Sequence, residues 1–100
     1  MFGPKEKGFL TNDMSKKNYG IFIPNEKYKI IKEFNDYDGD TVKFGDEWEY
    51  ITYSFLPYDS GLTLFFSKNG RDEWQIRLRD HENDQAEIIA NLDIYFEKIL

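Results

Sequence analysis

Between Tyr28 and Leu78 the apolar residues come in short alternating runs, and clusters of Gly, Pro, Asn and Asp separate the runs. Alternation with a period of two marks strands that bury one face, and so many turn formers leave no room for a long helix. This stretch is therefore expected to be a small antiparallel sheet. Tyr28, Ile30 and Phe34 share one parity, with Ile31 as the exception. Asp36 to Asp40 reads as a turn, with Asp38-Gly39 supplying a positive-φ position. From Trp48 to Leu56 the pattern conflicts with itself: Trp48 and Tyr50 have one parity, and Ile51, Tyr53 and Phe55 the other. A bulge near Tyr50–Ile51 reconciles them, since one extra residue moves every later side chain to the opposite face.

Pro57 to Gly61 is a loop, after which Leu62, Leu64 and Phe66 resume the alternation. Asn69-Gly70 predicts a type I′ hairpin turn. Its return strand places Trp74, Ile76 and Leu78 inward and Gln75, Arg77 and Arg79 outward. The period then changes. Ile88, Ile89, Leu92, Tyr95, Phe96 and Ile99 recur at three- and four-residue steps, which predicts one amphipathic C-terminal helix capped by Asn83 or Asp84. Ahead of the sheet, residues 1–20 lack any period and read as a loosely ordered arm, leaving 21–100 as the globular part. Gly20 to Pro24 reads as a short edge strand. The expected core is Trp48, Leu64, Phe66, Trp74, Ile76, Leu78, Ile89, Leu92 and Phe96.

The chain has 100 residues, of which 18% are aromatic, so the core must be built from few side chains and many rings. Without cysteine no disulfide framework exists, and no apolar run reaches the ~18 residues of a membrane span. A soluble cytoplasmic protein, monomeric or weakly dimeric, is the expectation. The net charge of −6 is uneven: residues 1–27 carry +2, 28–60 carry −5, 61–82 balance, and 83–100 carry −3. Such a body repels phosphate backbones, which argues against nucleic acid and favours a protein partner, with a basic one matching its charge.

Little in the chain can do covalent chemistry. His81 is the single histidine, flanked by Asp80 and Glu82, a poor ligand set without thiols or a second imidazole. Asp36, Asp38, Asp40 and Glu47 have the spacing of a calcium loop, but Thr41 stands where that loop needs glycine, so an acidic hairpin turn is expected. No serine has a nucleophile elbow, and no glycine pattern cradles a phosphate. The expectation is no enzyme, no metal and no cofactor. The binding candidates are Tyr37, Tyr53, Pro57, Tyr58 and Asp59, aromatics and an acid gathered around the Pro57 loop.

Two resemblances follow from these residues. Phe34-Asn35-Asp36-Tyr37-Asp38 and Gly45-Asp46-Glu47 look like the first strand, acidic loop and next turn of SH3-like barrels. The tryptophan pair and serine-proline-tyrosine segment of those domains are missing, so only the barrel topology is implied, not polyproline binding. The closer likeness runs from Tyr28 to Phe96 and centres on Phe55-Leu56-Pro57-Tyr58-Asp59-Ser60-Gly61-Leu62-Thr63-Leu64. It resembles a family of small, mainly bacterial proteins catalogued as domain of unknown function 3601, which implies no activity. The arm before Tyr28 lies outside that resemblance.

The fold expected is thus α+β: a strongly curved antiparallel meander of four to five strands, an SH3-like barrel if closed, with one C-terminal helix. The function expected is a non-catalytic protein-interaction module using the Pro57 edge. One alternative is an acidic immunity- or inhibitor-type protein that masks a basic enzyme. A small hydrolase or metal-dependent enzyme is a second alternative, disfavoured by the missing constellations.

Overall fold

In the computed structural model, which describes residues 1–100, the alternating runs do become strands. In chain order these are β1 (Phe2–Glu6), β2 (Lys27–Ile30), β3 (Phe34–Asn35), β4 (Thr41–Val42), β5 (Glu47–Leu56), β6 (Gly61–Ser67) and β7 (Asp72–Arg79). Two short helices, α1 (Ala86–Ala90) and α2 (Leu92–Tyr95), lead into β8 (Phe96–Lys98). Six strands form one antiparallel sheet in the order β1-β7-β6-β5-β2-β8, and β3 and β4 pair separately. No helix is long and apolar enough to cross a membrane.

The protein is mainly β, and the sheet does not close, which corrects the barrel expectation. β1 pairs only with β7 and β8 only with β2, so the sheet has two open edges. Pro4 in β1 and the brevity of β8 blunt those edges without joining them. The concave face is filled instead of sealed. Tyr28 and Ile30, Trp48 and Tyr50, Leu62, Leu64 and Phe66, Ile76 and Leu78, and Phe96 form one buried cluster with Phe22, Phe34, Val42, Leu92 and Tyr95. Phe22, from a segment that makes only one isolated bridge and no edge strand, is the hub of that cluster. Its ring lies 4.9 Å from Tyr28, 5.1 Å from Tyr50, 5.4 Å from Phe66 and 4.8 Å from Phe96.

The parity conflict in β5 resolves as a bulge. Tyr50 faces Phe66 and Thr52 faces Phe65, so Ile51 is the extra residue. Beyond it Tyr53 and Phe55 pair with Leu64 and Leu62 on the face that Tyr50 shares with Phe66. The exception at Ile31 also has a cause. The run that begins at Tyr28 ends at Ile30, and the Ile31 amide donates to the carbonyl of Tyr95, so the chain turns away before Phe34.

The single C-terminal helix is a further correction. Its apolar stripe does reach the core through Leu92 and Tyr95, with Ile88 and Ile89 packed against it. The helix breaks at Asn91 and gives way at Phe96, whose extended backbone pairs with Ile30. The open edge of β2 needs donors and acceptors, and the end of the predicted helix supplies them as a strand. Asp84 is no cap: α1 starts after Gln85 without a side-chain cap, and Asp84 lies 3.6 Å from Arg79.

Residues 1–20 run along the body. β1 hydrogen-bonds β7, and the next turn wraps a buried carboxylate. Glu73 accepts from the amides of Gly8, Leu10 and Thr11 at 2.8, 2.8 and 3.1 Å, and from the Thr11 hydroxyl. Further on, the Thr52 hydroxyl donates to the Ser15 carbonyl and accepts from the Lys17 amide. The β6–β7 hairpin forms at Asn69-Gly70, but with a longer loop than the type I′ turn predicted. Only Gly70 takes a positive φ, and the Asp72 carboxylate accepts from the Ser67 hydroxyl and the Lys68 amide.

Candidate functional site

Three segments meet at the end of the sheet where β5 turns into β6. Leu56 ends β5 and Pro57 to Ser60 form the connecting loop, the acidic turn brings Tyr37, and β7 contributes Arg77 and Arg79. The Tyr37 amide donates to the Arg77 carbonyl at 2.7 Å, which fixes the acidic turn on β7 beyond the reach of β1. Between them lies a cleft of about 80 Å³ lined by Tyr37, Leu56, Asp59, Leu62, Arg77 and Arg79, among others. Small-molecule sites typically run to ~300–1,000 Å³, so this one admits a single side chain.

The loop is anchored. The Arg79 Nε donates to the Asp59 carbonyl at 3.2 Å, and the Asp80 amide to the Ser60 carbonyl at 2.7 Å. The Asp59 Oδ1 accepts from the Gly61 amide at 3.0 Å, closing a local turn. The positive φ of this loop belongs to Ser60, at 56°, and not to Gly61. A Cβ at Gly61 would sit 2.8 Å from the Asp59 Oδ1, so a larger residue there displaces that carboxylate. Gly61→Ala is expected to break the Asp59 turn and cost about 1 kcal/mol, one hydrogen bond's worth. The same substitution made on top of Asp59→Ala should cost much less, and equal costs in both backgrounds, from urea denaturation, would dissolve the coupling.

Of the sequence candidates, Tyr37 and Asp59 line the cleft together. Pro57 is exposed at the loop, and Tyr58 beside it is fully exposed. Tyr53 lies elsewhere: its ring is 4.7 Å from that of Tyr19, with the Lys17 ammonium 4.8 Å above it. Phe55 and Leu56, which end β5, are also exposed. Sequence reasoning passed over Arg77 and Arg79, whose outward parity on β7 was the available signal.

The charges of the site are largely spoken for. Both Arg77 nitrogens of one guanidinium edge hold the Asp38 carboxylate, and those hydrogen bonds keep its carboxyl below the usual range. Arg79 sits 3.6 Å from Asp84 and 6.0 Å from the Tyr37 ring centre. Asp36 and Asp40 hold the Met1 amino group, and Asp40 donates its amide to the Asp36 carboxylate, so the calcium-like spacing is used in a hairpin turn. Glu47 begins β5, outside that turn. His81 is exposed and accepts from the Asn83 amide at 3.3 Å. Asp59 and Asp80 are paired with no cation.

An open six-stranded sheet, a two-stranded hairpin and two short helices, carrying an anchored apolar loop at one end, define a small mainly-β domain. The chain belongs to the family described as a domain of unknown function, DUF3601, which matches residues 6–100. That match takes in most of the arm that the resemblance from Tyr28 to Phe96 left out. Among solved structures the chain is similar to the integron cassette protein VCH_CASS4 from the mobile metagenome of Vibrio cholerae. The two are 40% identical, with a TM-score of 0.79 over 82% of this chain and 90% of that one. No curated protein matches it. Neither description states an activity, a ligand or a partner.

Proposed function

We propose that this protein is a non-catalytic interaction module that binds another protein through the Pro57 edge. The observation that carries the reading is the combination of exposure and anchoring: Tyr37 is exposed on a turn whose amide bonds the Arg77 carbonyl, and Tyr58 is exposed in a loop that accepts from the Arg79 guanidinium and the Asp80 amide. A rigid aromatic loses little entropy when it is covered, so such a ring is a favourable hot spot. The non-catalytic part is supported by how the charged groups are used, since the arginines beside the cleft already hold carboxylates.

Tyr58→Ala is expected to change folding stability by less than ~1 kcal/mol, as exposed substitutions do. It should weaken partner binding more than about fivefold, which is ~1 kcal/mol. The test is quantitative capture from lysate with wild type, Tyr58→Ala and Phe44→Ala, the last removing another exposed ring outside the Pro57 loop. Loss of the same partner from both variants, or from neither, would remove the Pro57 edge from consideration. A second reading, an acidic inhibitor that masks a basic enzyme, is favoured by the two unpaired carboxylates beside the same loop, Asp59 and Asp80.

A further inference from the structure

The acidic turn closes on a cation that is not a side chain. The α-ammonium of Met1 is ion-paired with Asp36 at 2.5 Å and with Asp40, and it lies 3.5 Å from Asp38. Asp36 is the demanding member of the three, because its side chain is fully buried. Its Oδ1 accepts from the Asp40 amide, while its Oδ2 has no hydrogen-bond donor from the turn or from β7. No second ion pair reaches it, since Arg77 holds Asp38. A buried carboxylate that loses its countercharge is strongly disfavoured, and here two more carboxylates stand beside it. The ammonium is placed from its own side too: the Met1 side chain packs against the core, and β1 begins at the next residue.

The same turn carries Tyr37. The Tyr37 amide donates to the Arg77 carbonyl, the Gly39 amide to the Asp36 carbonyl, and the Asp36 amide to the Asp40 carbonyl. We propose that the acidic turn distinguishes a free Met1 amine from a substituted one. A free amine latches β1 to the turn and fixes Tyr37; an acyl group, or any residue ahead of Met1, releases the latch. Acylation converts the ammonium to a neutral amide, so the charge that Asp36 faces disappears. A peptide bond to a preceding residue does the same and carries the next ammonium away from the three carboxylates. Substitution of this amine is thereby a modification that loosens one half of the Pro57 edge. Its effect on binding rests on the reading of that edge as protein-binding, but the latch itself does not.

The test compares three forms of the intact chain, each verified by mass: a free Met1 amine, a formylated Met1, and Gly-Ser placed ahead of Met1. Hydrogen exchange at the Tyr37 and Gly39 amides should be at least about tenfold faster in the second and third forms, the effect of losing one charge-assisted hydrogen bond. Asp36→Asn keeps the acceptor oxygen for the Asp40 amide but removes the charge. In that background the difference between forms should fall below about twofold. Burial pulls the amine's pKa down, and the hydrogen bonds to Asp36 and Asp40 more than reverse this, so it lies above 8.0. A raised folded value gives stability that is lost as the pH rises through it, so the free form's advantage in melting temperature should shrink there. The charged groups around the amine are Asp36, Asp38 and Asp40 of the turn, Arg77 of β7 and Lys5 of β1. All three forms share them, so the difference between forms isolates the amine. Equal exchange in the three forms, or an undiminished difference in Asp36→Asn, would overturn the proposal. The interaction reading is judged apart from it: capture that ignores Tyr58→Ala removes that reading and leaves the latch standing.

Discussion

Phe22→Ala should remove roughly 3–5 kcal/mol of folding stability, the range for truncating a fully buried large aromatic. Against a total of ~5–15 kcal/mol, that is a large share of what holds the domain together. The ring touches strands from both halves of the sheet: Tyr28 on β2, Tyr50 on β5, Phe66 on β6 and Phe96 on β8 all lie within 5.4 Å of it, centre to centre. Deleting it opens a cavity that no neighbour can close without breaking a strand pair. The melting temperature should drop by at least ~12 °C, given ~4–8 °C per kcal/mol for a domain of this size. A drop of only a degree or two would mean that Phe22 is not the hub.

Glu73→Gln should cost about 3 kcal/mol, because a buried carboxylate with charge-assisted hydrogen bonds of ~1.5–3 kcal/mol each would be exchanged for an amide with one acceptor. Four donors from the Gly8–Thr11 turn converge on this group. Burial pushes its carboxyl up, but the Thr11 hydroxyl and the three amides more than reverse this, so the pKa is lowered from 4.5. The sign follows directly. A folded-state pKa below the unfolded one gives stability that is complete above about 4.5 and is lost as the pH falls through the lower folded value. Asp38 and Asp72 are lowered too, so wild type loses stability in acid for several reasons. The difference between wild type and Glu73→Gln isolates this carboxylate and should shrink below pH 4.5. Parallel curves would show that the clasp does not form in solution, and hydrogen exchange at Gly8, Leu10 and Thr11 gives an independent reading.

Most strands were legible because a half-buried strand writes its period directly into the sequence. The bulge was legible for the same reason, as two parities within one run. What escaped was set by distant partners. Phe22 sits between Ile21 and Ile23 with no period to mark it, and only the four rings around it make it central. The C-terminal stripe, Ile88 through Phe96, satisfies a helix locally, yet the edge of β2 claims Phe96 to Lys98. Trp74 belonged to the predicted core by parity, but at the rim of the sheet it is half-buried against Trp48 and donates its Nε1 to Asp72. At the site, Tyr37 and Asp59 were legible as turn-borne residues. Their meeting depends on the hydrogen bond from Tyr37 to Arg77, across a gap in sequence that no local pattern spans.

The pairing of β1 with β7 has a consequence for how the chain must be made. Phe2 lies opposite Gln75 and Glu6 opposite Asp72, so β1 leaves the ribosome long before the strand it pairs with. Contacts so far apart close slowly, and until they do the β7 edge and the ring of Phe2 are exposed. Lys5, Lys7, Lys16 and Lys17 keep the waiting segment charged, and Pro4 denies a stray strand one of the hydrogen bonds it would need. Synthesis thus leaves the arm as a tether that locks the sheet only after the rest has formed.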